Sequence, residues 1–114
     1  MIFNTGIDIE KVSKFKKKNK KLFGKIFSKN ELKNIKNHSA QHIAGLFCAK
    51  EAVIKACSPL EKLGFKDIEI LHKKNGEPYA MIKKSKKIKI KDLKISISHS
   101  NEYAIAAAIL LKRW

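Results

Sequence analysis

The chain has 114 residues, with 26 Lys or Arg against 10 Asp or Glu and a formal net charge of +16. That length favours one domain over residues 1–114, and 44% hydrophobic residues exclude a disordered basic tail. No apolar run approaches the ~20 residues of a membrane span, no charged-then-apolar leader opens the chain, and Cys48 and Cys57 form no Cys-x-x-Cys pair, so a soluble cytoplasmic protein with free thiols is expected.

Ile2 to Ile9 is rich in β-branched residues and broken by Gly6. It predicts a strand with Gly6, Asp8 and Glu10 on one face and Ile7 and Ile9 on the other. Val12, Phe15, Leu22 and Ile26 mark a helical stripe whose lysines lie mostly toward solvent. Ser28 and Glu31 have the spacing of a capping box at the start of another helix. A third helix is expected from near Ser39, a good N-cap, to near Cys57, because Pro59 cannot continue it. From Ser39 to Ser58 the only charged residues are Lys50, Glu51 and Lys55, which makes this the central buried helix. Its apolar face is Ala40, Ile43, Ala44, Phe47, Cys48 and Ile54, with Glu51 in the middle.

The second half reads as β. Ile68 and Ile70 alternate with Asp67 and Glu69, Asn75-Gly76 supplies turn residues, and Tyr79 to Ile82 returns. Ile95 and Ile97 alternate with Ser96 and Ser98 before a turn around His99, Ser100 and Asn101. Tyr103 to Leu111 is alanine-rich and helical by propensity, but its place after a turn favours a hairpin partner. The expected class is α+β, with helices in the first half and an antiparallel sheet in the second.

Lys outnumbers Arg 25 to 1, a usage that drift in an AT-rich genome produces without function. The distribution is uneven all the same: eleven lysines lie between Lys11 and Lys36, and seven between Lys83 and Lys94. Such a field attracts polyanions without choosing among them. Charge alone would suit a basic nucleic-acid-binding domain. Against that reading, lysine predominates over the arginine of base readout, and Asp8 and Glu51 would have no purpose.

Asp8 between isoleucines and Glu51 on an apolar helix face sit where an unpaired carboxylate costs several kcal/mol. For Glu51 alone, an ion pair with Lys55 at i, i+4 is the simpler account. With Glu10 on the face of Asp8, two or three carboxylates could instead converge on a hard divalent ion, and Mg²⁺ prefers a few carboxylates plus substrate phosphates. His99 is either a hydrogen-bonded turn residue or a donor to phosphate. His38 and His42 have the spacing of a helical metal pair, but with no third ligand they read as solvated residues at a helix start.

In chain order, Gly6-Ile7-Asp8-Ile9, then Phe47-Cys48-Ala49-Lys50-Glu51-Ala52 with Lys55-Ala56, then Ile97-Ser98-His99-Ser100 before Tyr103-Ala104, resemble the holo-[acyl-carrier-protein] synthase family. These are the short bacterial phosphopantetheinyl transferases. Phe27 to Leu32 and the hairpin with Asn75-Gly76-Glu77-Pro78 extend the likeness nearly end to end. The resemblance implies transfer of the phosphopantetheine arm of coenzyme A, the co-substrate, to a serine of apo acyl carrier protein. Adenosine 3′,5′-bisphosphate is released, and the reaction supports fatty acid biosynthesis. Asp8 and Glu51 would be catalytic and hold Mg²⁺ against the pyrophosphate, with Glu10 a third ligand as in larger, two-lobed relatives. Glu51, or a metal-bound water beside it, would take the serine proton.

By the same resemblance, Lys55, His99 and Ser100 would contact coenzyme phosphates, and the turn of Asn75, Gly76 and Pro78 would line the nucleotide site. Lys14, Lys21 and Lys25 would face the acidic recognition helix of the carrier protein. One copy of each motif implies a homotrimer, with the apolar C-terminal segment in its interface, and neither a nucleic-acid nor a membrane partner. Two departures stand out: Leu46 occupies a position where the family commonly has Arg, and Cys57-Ser58-Pro59 replaces Gly-Thr-Gly.

Overall fold

The computed structural model describes residues 1–17, 19–35, 39–83 and 85–113, apart from the Asn34 side chain; His38 lies outside them. Strand β1 (Ile2–Lys11) leads through a 3-10 turn at Val12–Phe15 to two short helices, α1 (Lys20–Ile26) and α2 (Lys29–Ile35), and then to the long helix α3 (Ala40–Cys57). Two hairpins follow, β2 (Ile68–His72) with β3 (Pro78–Ile82), and β4 (Leu93–His99) with β5 (Tyr103–Lys112).

The class is α+β, as the pattern of elements suggests, but the β structure is not confined to the second half. β1 pairs antiparallel with β5, from Ile2 opposite Lys112 to Lys11 opposite Tyr103, giving a three-stranded sheet of order β1-β5-β4 beside a separate β2-β3 ribbon. The reason lies in β5: as hairpin partner of β4 it offers a second, unpaired edge, and the first strand satisfies those backbone groups.

Helix α3 crosses this sheet. Ser39 Oγ accepts from His42 N at 3.2 Å to cap it, and the helix ends as expected at Cys57. Its Ala52 and Ala56 are buried against alanines 104, 106 and 108 on the inner face of β5 and against Gly6 of β1. A Cβ on Gly6 would lie 2.0 Å from the Ala52 carbonyl oxygen, so only glycine admits the helix here. This close approach brings Glu51 and Lys55 next to Asp8. β1 therefore inverts the usual pattern: Asp8 and Glu10 turn toward α3, while Ile7 and Ile9, each about 60% exposed, turn out.

The first helical stripe differs from the expected one. The 3-10 turn ends before α1 starts at Lys20, so the phase resets: Phe23 and Ile26 are buried and Leu22 is half exposed. Ser28 and Glu31 do form the capping box, with Glu31 N donating to Ser28 Oγ at 3.1 Å and Ser28 N to Glu31 Oε1 at 2.8 Å. The β2-β3 turn is longer than a two-residue hairpin. Gly76 N donates to Lys73 O, Lys73 N donates to Glu77 O, and Gly76 takes φ +90°, a type I turn closed by a left-handed glycine. Among the described residues no helix is long and apolar enough to cross a membrane.

Candidate active site

Two groups of the expected residues form around α3. The first lies between β1 and the C-terminal half of the helix. The Lys55 ammonium donates to Ile7 O at 2.9 Å and to Asp8 Oδ1 at 3.3 Å. Asp8 Oδ2 is buried and has no hydrogen-bond partner among the described residues. Burial pushes the Asp8 carboxyl above the usual carboxylate range, repulsion from Glu10 adds to this, and Lys55 pulls it back. Glu51, half-buried, is likewise raised, first by burial and then by the charge of Asp8. It makes neither the ion pair with Lys55 that its spacing allowed nor any other among the described residues.

Glu10 lies beside Asp8, whose carboxyl it helps to raise, but its own carboxylate also accepts from the Lys14 ammonium at 2.8 Å. Among the described residues no group of three His, Cys, Asp or Glu side chains is placed to hold a metal ion. Asp8 and Glu51 remain as a pair of hard oxygen donors, one with an orphaned buried oxygen, and that donor set fits a magnesium ion which takes its other ligands from phosphate and water. Below them Cys48 Sγ donates to Ala104 O at 3.3 Å, and burial, reinforced by Asp8 and Glu10, pushes its thiol up to about 12. At that value it is no nucleophile.

The second group lines a cleft of roughly 170 Å³ between the first half of α3, the β2-β3 turn and the end of β4. Gly76, Pro78 and His99 are in it, joined by His42, Leu46 and His72. Asn75 is not in its lining; its side chain accepts from Glu77 N at 2.9 Å and shapes the turn. Ser100 is occupied too, its hydroxyl accepting from Glu102 N and Tyr103 N in the turn before β5. His42 is half-buried in the cleft wall rather than solvated. The two groups share one face of the sheet: His99 and Glu10 are both register partners of Ala104, so two strand spacings, about 10 Å, separate their backbones.

Lys14, Lys21 and Lys25 are exposed, Lys14 beside the carboxylates and the other two on α1. How α1 is held was not read from the sequence. Lys50, fully buried, donates to Ile26 O at 2.8 Å and Phe65 O at 3.0 Å and pairs with Glu31 Oε1 at 2.5 Å. Glu31 Oε2 accepts from Ile70 N, and Ser28 Oγ donates to the buried Glu69. Lys66 donates to Gly24 O and Phe27 O, so two lysines receive the C-terminal carbonyls of α1. The signal was periodicity: Ile43, Leu46, Lys50, Val53 and Cys57 form one buried stripe with Lys50 at its centre.

A family model for the 4′-phosphopantetheinyl transferase superfamily matches residues 4–108. The holo-[acyl-carrier-protein] synthase of Caldicellulosiruptor saccharolyticus is 44% identical over 121 residues, covering 98% of each chain. That of Clostridium kluyveri is 40% identical over 121 residues, covering 96% of this chain and 90% of the relative. Among solved structures, the Bacillus anthracis synthase in complex with coenzyme A (3′,5′-ADP) aligns with a TM-score of 0.77 at 31% identity over 94% of each chain. The Helicobacter pylori synthase in complex with coenzyme A aligns with a TM-score of 0.79 at 31% identity, over 93% of this chain and 98% of that one. Motif order, fold and near-complete coverage agree, and the chain belongs to the 4′-phosphopantetheinyl transferase superfamily, among its holo-[acyl-carrier-protein] synthases.

Proposed function

We propose that this protein transfers the 4′-phosphopantetheine group of coenzyme A to a serine of apo acyl carrier protein, giving holo carrier protein and adenosine 3′,5′-bisphosphate, in support of fatty acid biosynthesis. The observation that carries the reading is the under-satisfied pair Asp8 and Glu51 beside the Lys55 ammonium, on the sheet face that also bears His99, in a chain of this family. The serine oxygen attacks the pyrophosphate phosphorus that bears the pantetheine arm. The bond from that phosphorus to the bridging oxygen breaks, and the bisphosphate leaves with the bond's electron pair. Glu51, held above the usual carboxylate range by burial, takes the serine proton. Lys55 meets the charge on the phosphate oxygens, and His99 with the Gly76 and Pro78 turn holds the nucleotide end.

Asp8 and Glu51 would hold Mg²⁺, which when bound neutralises charge on the pyrophosphate oxygens. Glu10, engaged with Lys14, is left out of that set, and Asn75 and Ser100 support the site by shaping its turns. Lys14, Lys21 and Lys25 form the basic surface for the acidic carrier protein, where complementary charge chiefly speeds encounter. Residues 1–114 act as one domain, a reading supported by a core that runs from Val12 to Leu110. A homotrimer is supported by the outer sheet face, where Phe3, Ile7, Ile9, Tyr103, Ile105 and Ile109 stand exposed together. Two free buried thiols suit a reducing cytoplasm.

The test is intact-mass measurement of an apo carrier protein incubated with this protein, coenzyme A and Mg²⁺. A gain of roughly 340 Da that disappears with a chelator is the expected result. No gain on a carrier that another transferase modifies would refute the reading.

A further inference from the structure

Helix α1 carries Lys21 and Lys25, two of the lysines proposed above for the carrier protein, and its own sequence holds it weakly. Seven residues are too few for a helix to persist unaided, Gly24 sits in its interior, and Lys20 and Lys21 stand in a first turn that has no acid to offset the positive helix end. Packing does not require the glycine, since a Cβ there would meet nothing within 4 Å. Phe23 and Ile26 bury one side of the helix, while Lys21 and Lys25, one turn apart, are exposed.

What α1 lacks is supplied at its C-terminal end by a turn far along the chain. Lys66 lies in the 3-10 turn at Phe65–Asp67, closed by Gly64 N donating to Asp67 Oδ2 at 2.8 Å. From there its ammonium donates to Gly24 O at 2.8 Å and to Phe27 O at 3.0 Å. The buried Lys50 ammonium ties the same two pieces together from within the core, donating to Ile26 O of α1 and to Phe65 O of the turn. A helix end gripped by two cations through directed hydrogen bonds is fixed in angle as well as in place.

We propose that Lys66 is a positioning residue for the carrier protein: through the C-terminal carbonyls of α1 it sets the angle at which Lys21 and Lys25 are presented. The inference rests on the transferase reading above and adds to it a residue that acts on one substrate alone. Asp8, Glu51, Lys55 and the cleft are held by β1, α3 and the two hairpins, so the defect in a Lys66 variant is confined to the carrier protein.

The experiment is steady-state transfer by wild type, Lys66→Met, Lys66→Arg and Lys62→Met, with hydrogen–deuterium exchange of the same four proteins. Lys66→Met should raise the KM for carrier protein about fivefold while kcat and the KM for coenzyme A stay within about twofold, and amides of residues 23–27 should exchange several-fold faster. Lys66→Arg, which keeps donors for the carbonyls, should restore both. Lys62→Met removes the same charge from an exposed position just before the turn and should change neither, which separates positioning from loss of charge alone. Equal effects of Lys66→Met and Lys62→Met would overturn the proposal, as would unchanged exchange in α1 or a fall in kcat with the KM unmoved. Failure of the two readings is separable. Wild type that modifies no carrier protein removes the transferase reading and this inference with it, whereas transfer by wild type with the KM unmoved in Lys66→Met removes this one alone.

Discussion

Lys50 and Glu51 are neighbours in sequence and sit in opposite electrostatic conditions. Lys50 is fully buried, yet each direction its ammonium faces offers an oxygen: two carbonyls and the Glu31 carboxylate, with the Phe27 ring beside it. Glu51 and its partner Asp8 are less buried and worse provided for, with one orphaned oxygen and two carboxyls pushed above their usual range. A buried charge that serves the fold has its partners supplied by the chain. One that serves chemistry is left short of them, and the shortfall is what a cation and a phosphate would make good.

The contrast makes different demands on substitutions at its two ends. The largest effect is expected from Glu51→Ala, which should lower the rate of transfer in the intact-mass assay by about 10²–10⁴-fold with no loss of thermal stability. Lys50→Met should act the other way, destabilising the fold by about 3–5 kcal/mol in urea melts because Glu31 is left buried and unpaired. Adding Glu31→Gln, which removes the unpaired charge but keeps an acceptor at the cap of α2, should recover part of that loss, which a generic packing defect would not allow. Reversing Lys14, Lys21 and Lys25 to Glu should raise the KM for carrier protein several-fold, an effect that shrinks as salt is added.

The smallest effect concerns pH. The Asp8 carboxyl is raised in the folded state, so its ionised form costs stability; that cost is present at neutral pH and disappears as acidification protonates the group toward its ordinary value of 3.8. Asp8→Asn should therefore melt higher than wild type at neutral pH, and the difference should close as the pH falls toward 4. A difference that stays constant with pH would mean Asp8 carries no electrostatic penalty.

Much of this was legible in the sequence, for local reasons. Ser39 and Pro59 bound α3, Ser28 and Glu31 announce a cap, and the alternating isoleucines mark strands; each signal acts within a few residues. What escaped depends on distant partners. Nothing near Glu31 indicates that its cap also serves Lys50, and nothing near Glu69 that it faces Ser28 rather than solvent. The alternation of β1 was legible, but which of its two faces is covered was not, because only the register with β5 shows which side α3 packs on. The carboxylates were conspicuous because a charge among apolar neighbours is costly. His42 and His72, ordinary at a helix start and a strand end, meet only where the fold brings their rings to 5.9 Å.

The contrast is tested most directly by one paired measurement on Asp8→Asn at neutral pH, its thermal melt beside its transfer of phosphopantetheine to apo carrier protein. The expected result is a melting temperature at or above that of wild type with transfer lost. A variant that melts several degrees lower while still transferring the group would show that Asp8 serves the fold, and would contradict the assignment of this end of α3 to chemistry.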